Sequence, residues 1–307
     1  MVESMSELKI SVYMITYNNE RTVEKAVKSV TWADEIVVVD SFSTDKTVEI
    51  CRKFTDRVFQ RMWPGFRDQY QYAADLTTHP WVMFVDADEE VSRELAQEIR
   101  KVVNENRDEV HGFIVYRRTY YLGRWIRYGG WYPDYEIRLY RRDKGKWEGG
   151  LHAKVVVGGK VGSLNNPYLH YTYRDISDQI QRVDRYSGIA AEDMLEEGEK
   201  FSLLKLLFHP LFRFVKEFLF RSGFRDGVPG LVIITATMFY VFMKYAKLWE
   251  LTRSTAPNPS SEGGAEKCRS GSTLSLRPDP KPRDKSQPLG EGAGGLTISK
   301  KEKENDS

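Results

Sequence analysis

Three short apolar segments in the N-terminal third of the chain are spaced as buried strands of an α/β sheet. They are Ile10–Ile15, Glu35–Val39 and Trp81–Val85. The first two are followed by apolar residues at helical spacing, namely Val23, Ala26, Val27 and Val30, then Val48, Ile50, Cys51 and Phe54. Strands that alternate with helices predict an α/β sheet with helices on both faces, in which the carboxyl ends of parallel strands open into one crevice.

The same patterns divide the chain into parts. Residues 8–175 are predicted to form the α/β domain, with a nucleotide-binding half (8–110) and a second half of mixed strands, glycine turns and loops (111–175). Residues 176–250 are predicted to be helical. Residues 251–307 are rich in Ser, Pro, Gly and Lys and hold too few apolar groups to offset the entropy of ordering, so a disordered tail is predicted.

Two segments of the helical part combine apolar side chains with basic ones. Residues 203–220 are rich in Leu and Phe, and Pro210 is predicted to interrupt any helix there. Residues 228–243 are almost wholly apolar and precede Lys244 and Lys247, but the run is shorter than the roughly 20 residues of a spanning helix. We interpret both as membrane-surface helices facing an anionic leaflet. A buried helix pair is the alternative, and a true span is a third reading.

Composition is typical of a cytoplasmic globular enzyme. Hydrophobic residues make up 41% of the 307 residues, which is enough for a core, and the formal charge of +2 does not indicate a large polyanion as partner. The two cysteines, Cys51 and Cys268, are expected to be free thiols in a reducing compartment. Because the first apolar run is the first strand and no signal-like segment precedes it, we expect the protein to stay in the cytoplasm.

The candidate chemistry lies at the predicted strand ends. Asp86-Ala87-Asp88 follows the third strand, and Asp40 ends the second. Carboxylate oxygens are ligands for Mg²⁺ or Mn²⁺, and such an ion usually also holds a substrate phosphate. The pattern therefore predicts a metal-nucleotide site. A solvated turn is the alternative for an isolated Asp-x-Asp.

Three motifs in this order resemble glycosyltransferase family 2, of fold type GT-A, which implies a Rossmann-like mixed sheet. They are Thr16-Tyr17-Asn18, Asp40-x-Ser-x-x-Asp45 and Asp86-x-Asp88. The resemblance covers approximately residues 8–245 and is closest to the lipopolysaccharide core β-1,4-glucosyltransferases of Gram-negative bacteria. It implies an inverting enzyme that uses a divalent cation, Mg²⁺ or Mn²⁺. Such an enzyme would move a hexose, expected to be glucose, from a UDP-sugar to a lipopolysaccharide core sugar, expected to be heptose.

The resemblance also implies roles for residues of the nucleotide half. Asp88 would be a metal ligand, and Asp86 would contact the ribose or the water shell of the metal, with Ala87 between them in the same donor-binding turn. Asp40 would accept a hydrogen bond from the uracil N3–H, and Thr16, Tyr17 and Asn18 would line the base pocket. Arg67 is a candidate for a donor phosphate, although an exposed arginine is the alternative.

The base that deprotonates the acceptor is expected in the second half. The family carries a Glu-Asp pair followed by an Arg, and here Pro133 stands in place of the Glu while Asp134 and Arg138 keep the rest. Asp134 is therefore the first candidate for the base and Glu136 the second. The alternative is that both are surface acids paired with the nearby arginines at 141 and 142.

A third metal ligand is expected late in the core of such enzymes. His152 is the candidate, although the matching family segment reads His-Glu and here it reads His152-Ala153. A satisfied structural histidine is the alternative. His170 is a weaker candidate for the same role.

Residues 117–142 interleave arginines with aromatic residues, among them Arg117, Arg118, Tyr120 and Trp125. Aromatic faces stack on sugars and guanidinium forks bind phosphates, so a phosphorylated sugar chain fits this segment, with ordinary aromatic packing as the alternative. Single-stranded nucleic acid uses the same residue types, but the Asp-rich strand ends argue against it. The expected partners are a UDP-sugar, a lipopolysaccharide core or other glycolipid, and the cytoplasmic membrane surface, to which the protein would be peripheral.

Two other functions stay open at this point. A transferase to polyprenyl phosphate would need a lipid-phosphate site near the basic helices. A catalytically silent membrane-surface binding module would bind a nucleotide and metal without turnover. The Gln-x-x-Arg-Trp motif of processive synthases is absent from the sequence, so transfer of one sugar per event is predicted.

Overall fold

A computed structural model describes residues 8–105, 109–150 and 153–254. Its strands are β1 Ile10–Thr16, β2 Glu35–Asp40, β3 Val58–Gln60, β4 Trp81–Phe84, β5 Glu89–Val91, β6 Gly112–Tyr121, β7 Arg124–Trp125, β8 Asp134–Arg141, β9 Gly145–Glu148, β10 Lys154–Val157, β11 Val161–Ser163 and β12 Tyr168–His170. Its helices are α1 Val23–Ser29, α2 Thr47–Cys51, α3 Phe66–Asp75, α4 Arg93–Glu105, α5 Ile176–Glu196, α6 Leu203–Val215 and α7 Gly227–Ser254. Short 3₁₀ turns cover Gly129–Trp131 and Gly223–Asp226, and a π turn covers Lys216–Phe220.

The main sheet is mixed, with the strand order β3-β2-β1-β4-β8-β6-β12-β5. β3, β2, β1 and β4 are parallel neighbours, as predicted, whereas β8 pairs antiparallel with β4 and with β6. The carboxyl ends of β1, β2 and β4 therefore share one edge of the sheet. β12 lies parallel to β6 and antiparallel to β5, which places the start of β5 beside the end of β12.

Helices cover both faces of the sheet, which confirms the predicted α/β class. Alternate residues of β1 enter different cores because successive side chains of a strand point to opposite faces. Ile10, Val12 and Met14 pack with buried residues of α1, α2 and α4. Tyr13 packs on the other face, with buried residues of α3 and of the β9–β10 hairpin.

The described chain forms two compact units. The larger contains residues 8–179 and 216–234, and the smaller contains residues 180–215 and 235–254. The predicted interruption at Pro210 is wrong, because α6 runs through this residue. A proline removes one helical N–H and clashes with the preceding turn, yet here Pro210 is buried and the apolar helix continues past it.

One helical stretch of the described residues, Gly223–Arg253, is long and apolar enough to cross a membrane. Burial covers 44% of its most apolar window, and a core helix of a soluble protein meets the same criterion. The stretch is therefore weak evidence for a span. The predicted disordered tail, from residue 255 onward, lies outside the described residues.

Candidate active site

Asp40 joins the loops that follow β1 and β2. Its carboxylate is fully buried and accepts hydrogen bonds from the Thr16 hydroxyl (3.1 Å), the Ser43 amide (2.8 Å) and hydroxyl, and the Gln60 side-chain amide (3.2 Å). These four donors occupy the accepting positions of the two oxygens. The uracil contact predicted for Asp40 would therefore require one donor to give way.

The loop after β1 is held in one conformation by side chains from the loop after β2. Asn18 has a positive φ of 52°, and its amide donates to the Ser43 hydroxyl (2.8 Å) while its side-chain oxygen accepts from the Thr44 amide (2.8 Å). Tyr17 is half-buried, and its amide donates to Asn19 Oδ1 (2.8 Å). The predicted base-pocket residues Thr16, Tyr17 and Asn18 thus adjoin Asp40 through a shared network.

The Asp86-Ala87-Asp88 turn follows β4 and is almost completely buried. The Asp86 amide donates to Glu89 Oε2 (3.0 Å), so the turn folds back on the first residue of β5. Asp86 Oδ1 accepts from the Tyr70 hydroxyl (3.4 Å), which comes from α3. Asp88 Oδ2 lies 3.3 Å from Nε2 of His170, because β12 pairs with β5 at this point.

Arg138, from β8, is the centre of the charged network around this turn. Its guanidinium forms a bidentate pair with Glu89, with both N–O distances at 3.0 Å, and lies 3.6 Å from Asp86 Oδ2. It also pairs with Glu136 (2.6 Å) and donates to the Tyr168 hydroxyl (3.0 Å). A planar fork is suited to this multiple pairing.

The two candidate bases, Asp134 and Glu136, both lie in this network. Their ion partners are Arg117 and Arg138, and not the arginines at 141 and 142 that would have marked them as ordinary surface acids. Asp134 begins β8 and pairs with the buried Arg117 of β6. The side chain of Glu136 is 32% exposed against 16% for Asp134, so both can be reached from solvent.

Five carboxylates of this cluster face only two guanidinium groups. The acids are Asp86, Asp88, Glu89, Asp134 and Glu136, and the arginines are Arg117 and Arg138. Burial raises the pKa of Asp86 to about 6, opposed by Arg138 and reinforced by Asp88. Burial also raises the pKa of Glu89 well above its ordinary value, although Arg138 opposes this. The cluster therefore holds more acids than guanidinium groups, and a bound cation would offset the excess of negative charge.

The pKa values of Glu136 and His170 are also shifted by this arrangement of charges. Burial alone would raise the pKa of Glu136, but the Arg138 and Arg117 guanidiniums hold it below its ordinary value, so this acid is ionised. Burial lowers the pKa of His170, with Asp88 opposing the shift, which favours the neutral imidazole. Neutral imidazole is the form that ligates metals.

The donor set fits a divalent cation that shares its coordination with a substrate. Asp88 and His170 adjoin, and Asp86 lies two residues from Asp88. In the described residues, no group of three or more His, Cys, Asp or Glu side chains is arranged to hold a metal ion. Mg²⁺ is commonly bound by one or two carboxylates plus substrate phosphates. In a site of this kind, phosphates of a bound nucleotide would complete the coordination of the ion.

Arg67 is not brought into this cluster, and the placement of His152 is not described. Arg67 is exposed in the first turn of α3, where its guanidinium pairs with Asp68 (2.7 Å). His152 lies outside the described residues. His170, the weaker candidate, is the histidine that the structure places next to Asp88.

Three residues of the network were missed as site residues or assigned another role by sequence reasoning. Arg117 was placed with the acceptor-binding arginines, but it is 3% exposed and pairs with Asp134. The sequence pattern predicts no role for Glu89 or Tyr168, although Glu89 directly follows the Asp-Ala-Asp motif. The position of Glu89 next to this motif, together with the match of Arg138 to the family's arginine, could have indicated the Glu89–Arg138 pair.

A family model described as "Glycosyl transferase family 2" matches residues 11–155. A curated relative, the lipopolysaccharide core biosynthesis glycosyltransferase LpsC of Rhizobium meliloti, is 30% identical over 80% of this chain and 93% of its own length. Among solved structures, S. aureus TarS is similar over 80% of this chain and 55% of its own, with 18% identity and a TM-score of 0.41. Mycobacterium tuberculosis glucosyl-3-phosphoglycerate synthase, solved with Mn²⁺, UDP-glucose and phosphoglyceric acid, covers 36% of this chain and 44% of its own, with 22% identity and a TM-score of 0.32.

Proposed function

This chain belongs to glycosyltransferase family 2, and from that premise we propose that it transfers a hexose, with inversion, from a UDP-sugar to a lipopolysaccharide core sugar. Glucose is the proposed donor sugar and heptose the proposed acceptor. Residues 8–110 would bind the nucleotide and residues 111–175 the acceptor. Support for the acceptor class comes from the relative LpsC, whose name places it in lipopolysaccharide core biosynthesis.

The observation that carries the proposal is the buried acidic cluster at the carboxyl edge of the sheet. Departure of UDP develops negative charge on the diphosphate, and that charge must be neutralised at the moment the bond to the sugar breaks. Asp88, with Asp86 and His170, would hold a divalent cation, Mg²⁺ or Mn²⁺, that neutralises this charge as a Lewis acid. Arg138 and Glu89 would fix the turn that carries both aspartates.

The acceptor hydroxyl must lose its proton as it attacks the sugar. Asp134 is the proposed base, and its pairing with Arg117 would hold the carboxylate in one orientation. Glu136, paired with Arg138, is the second candidate. Thr16, Tyr17, Asn18 and Asp40 would surround the uracil end of the donor.

Replacing Asp134 by asparagine is expected to lower kcat by about 10²–10³-fold, because asparagine keeps the shape but accepts no proton. Affinity for UDP in the presence of Mn²⁺ should stay within about twofold of wild type, since no nucleotide contact is proposed for Asp134. Steady-state transfer kinetics and calorimetric titration would measure the two quantities. Glu136→Gln is the matched variant, and a larger kcat loss in it than in Asp134→Asn would reassign the base.

Replacing Asp40 by asparagine is expected to weaken UDP binding about tenfold. The new side-chain NH₂ group would face the Ser43 amide and the Gln60 side chain, which now donate hydrogen bonds to the Asp40 carboxylate. Asp45→Asn is the control, because Asp45 accepts the Glu20 (3.1 Å) and Thr47 (2.9 Å) amides in the same loops without a proposed nucleotide contact. Titration with UDP and with CDP would compare the variants. Equal weakening of both nucleotides in both variants would show that Asp40 only stabilises the loops.

The proposed location is the cytoplasmic face of the cell membrane, where the protein would be peripheral. α6, in the smaller unit, supports this location because one face of it exposes large apolar side chains. They are Leu203, Leu204, Leu207, Phe208, Leu211, Phe212 and Val215. Their spacing of three to four residues gives the amphipathic stripe of a helix that lies in a membrane interface.

A donor screen tests the proposed reaction. The protein is incubated with a heptose-containing core oligosaccharide and UDP-glucose, UDP-galactose or UDP-N-acetylglucosamine, with Mn²⁺ or with chelator. We expect Mn²⁺-dependent addition of one β-linked sugar from UDP-glucose, identified by NMR of the product. An α-linked product would exclude inversion, and transfer to polyprenyl phosphate without transfer to the oligosaccharide would favour the rival acceptor.

A further inference from the structure

The segment that follows α6 in sequence, within the larger unit, exposes a second set of large apolar side chains. We name Leu219, Phe220, Phe224, Val228 and Leu231 the apolar patch. Phe220 is 80% exposed and Val228 is 73% exposed. Exposed apolar groups concentrated within a dozen or so residues mark a surface that meets a partner.

The charges of the same segment indicate which partner. Arg221 and Arg225 are exposed, whereas its two acidic residues, Glu217 and Asp226, are buried. The exposed part of the segment therefore presents apolar and positive groups without a negative one. That combination matches a bilayer whose surface carries anionic headgroups above an apolar interior. A second copy of the same patch would bring arginine against arginine.

The buried side of the segment is hydrogen-bonded to the loop that leads to the proposed base. Asp226 Oδ2 accepts from the backbone amides of Arg127 (2.9 Å) and Tyr128 (2.8 Å), and the Arg124 guanidinium donates to the Asp226 carbonyl (2.9 Å). The amide of Gly129 donates to the Arg221 carbonyl (3.0 Å). Residues 124–131 are thus bonded to the segment through the backbone of three consecutive residues.

Glycines allow the two segments to approach this closely. A Cβ on Gly223 would lie 2.9 Å from the Glu217 carbonyl oxygen and 3.3 Å from Cα of Gly129. A Cβ on Gly130 would lie 2.8 Å from the Glu217 carboxyl carbon. A Cβ at Gly223 would meet backbone atoms of both segments, so the two backbones are in direct contact at this point.

From these contacts we propose that the apolar patch inserts into an anionic lipid surface and thereby holds the 124–131 loop, and the acceptor half of the site after it, at the membrane. This inference rests on the proposed function for its consequence, which is that the acceptor is engaged while its lipid is still in the bilayer. The lipid contact itself requires no transferase activity.

Vesicle binding tests the lipid contact. Wild-type protein, a Phe220→Ser/Val228→Ser variant and a Val156→Ser control are sedimented with phosphatidylcholine vesicles, with and without phosphatidylglycerol. Val156 is an exposed valine of β10 in the same unit. Removing two inserting apolar side chains is expected to reduce partition into phosphatidylglycerol vesicles by roughly tenfold or more, with the control unchanged. An Arg221→Gln/Arg225→Gln variant is expected to lose the preference for phosphatidylglycerol.

Hydrogen exchange tests the coupling to the loop. Phosphatidylglycerol vesicles should slow amide exchange in residues 124–131 of the wild type and leave it unchanged in the Phe220→Ser/Val228→Ser variant. Equal sedimentation of wild type and that variant would overturn the proposal, as would self-association that depends on Phe220 or an exchange rate that vesicles do not alter. Mn²⁺-dependent UDP binding, measured on the same variants, should stay intact. Its absence in the wild type as well would count against the proposed function and not against the lipid contact.

Discussion

Replacing Asp88 by alanine is expected to abolish Mn²⁺-dependent binding of UDP and to lower kcat by about 10³-fold or more. The carboxylate adjoins His170 in a buried cluster with more acids than arginines, and its loss removes the group proposed to hold the cation. Without that cation, the charge that develops on the leaving diphosphate would be stabilised only by the protein's own donors. Calorimetric titration with UDP and with GDP, with and without Mn²⁺, measures the binding.

Two comparisons make the Asp88 result specific. Asp143→Ala removes an exposed acid that pairs with Lys144 (3.3 Å), and it should leave both nucleotide binding and activity unchanged. His170→Gln should weaken the Mn²⁺ dependence by about 10–100-fold if the imidazole is a ligand. UDP binding that is independent of Mn²⁺ in the wild type and persists in Asp88→Ala would remove the metal from the proposal. A preference for GDP would point to a mannosyl donor instead.

The part of the fold that local sequence pattern determines was predicted well. The strand predicted over Ile10–Ile15 is β1, and the strands predicted before Asp40 and Asp86 are β2 and β4. Each is a short apolar run that ends in a polar group, and each parallel pair follows from the helix that comes after the strand. The position of Asp86 and Asp88 at the carboxyl edge could therefore be read from the sequence.

The charged network could not be predicted in the same way, because it depends on which distant strands pair. β8 lies between β4 and β6, and this order brings Arg138 to Glu89 and Arg117 to Asp134. Arg117 was misassigned because arginines and aromatic residues alternate in its segment. Successive residues of β6 point to opposite faces, so Arg117 enters the buried site while Arg118 stacks over Trp125 (5.4 Å).

Replacing Arg138 by methionine is expected to lower the free energy of unfolding by about 3–5 kcal/mol. Methionine has a similar length but no charge, so Glu89 and Asp86 would stay buried without the guanidinium that now pairs with them. Activity should fall as well, because the Asp86-Ala87-Asp88 turn is bonded to Glu89. Urea unfolding in the presence of chelator measures the stability, and Arg142→Met, an exposed arginine of the neighbouring loop, is the control.

The pH dependence and a second substitution separate charge from packing in this variant. Burial already raises the pKa of Glu89, and without Arg138 that pKa rises further, so the folded state binds more protons than the unfolded state. The stability that this proton contributes is lost as pH rises through the pKa of Glu89 in the folded variant. The free energy of unfolding of the variant should therefore fall further below that of the wild type at about pH 8 than at about pH 5. Adding Glu89→Gln should recover part of the loss, because it removes one unpaired charge. A deficit that is the same at both pH values, with no recovery in the double variant, would mean that Arg138 stabilises the fold by stacking on Phe84 (4.7 Å) and Tyr168 (4.6 Å) rather than by its charge.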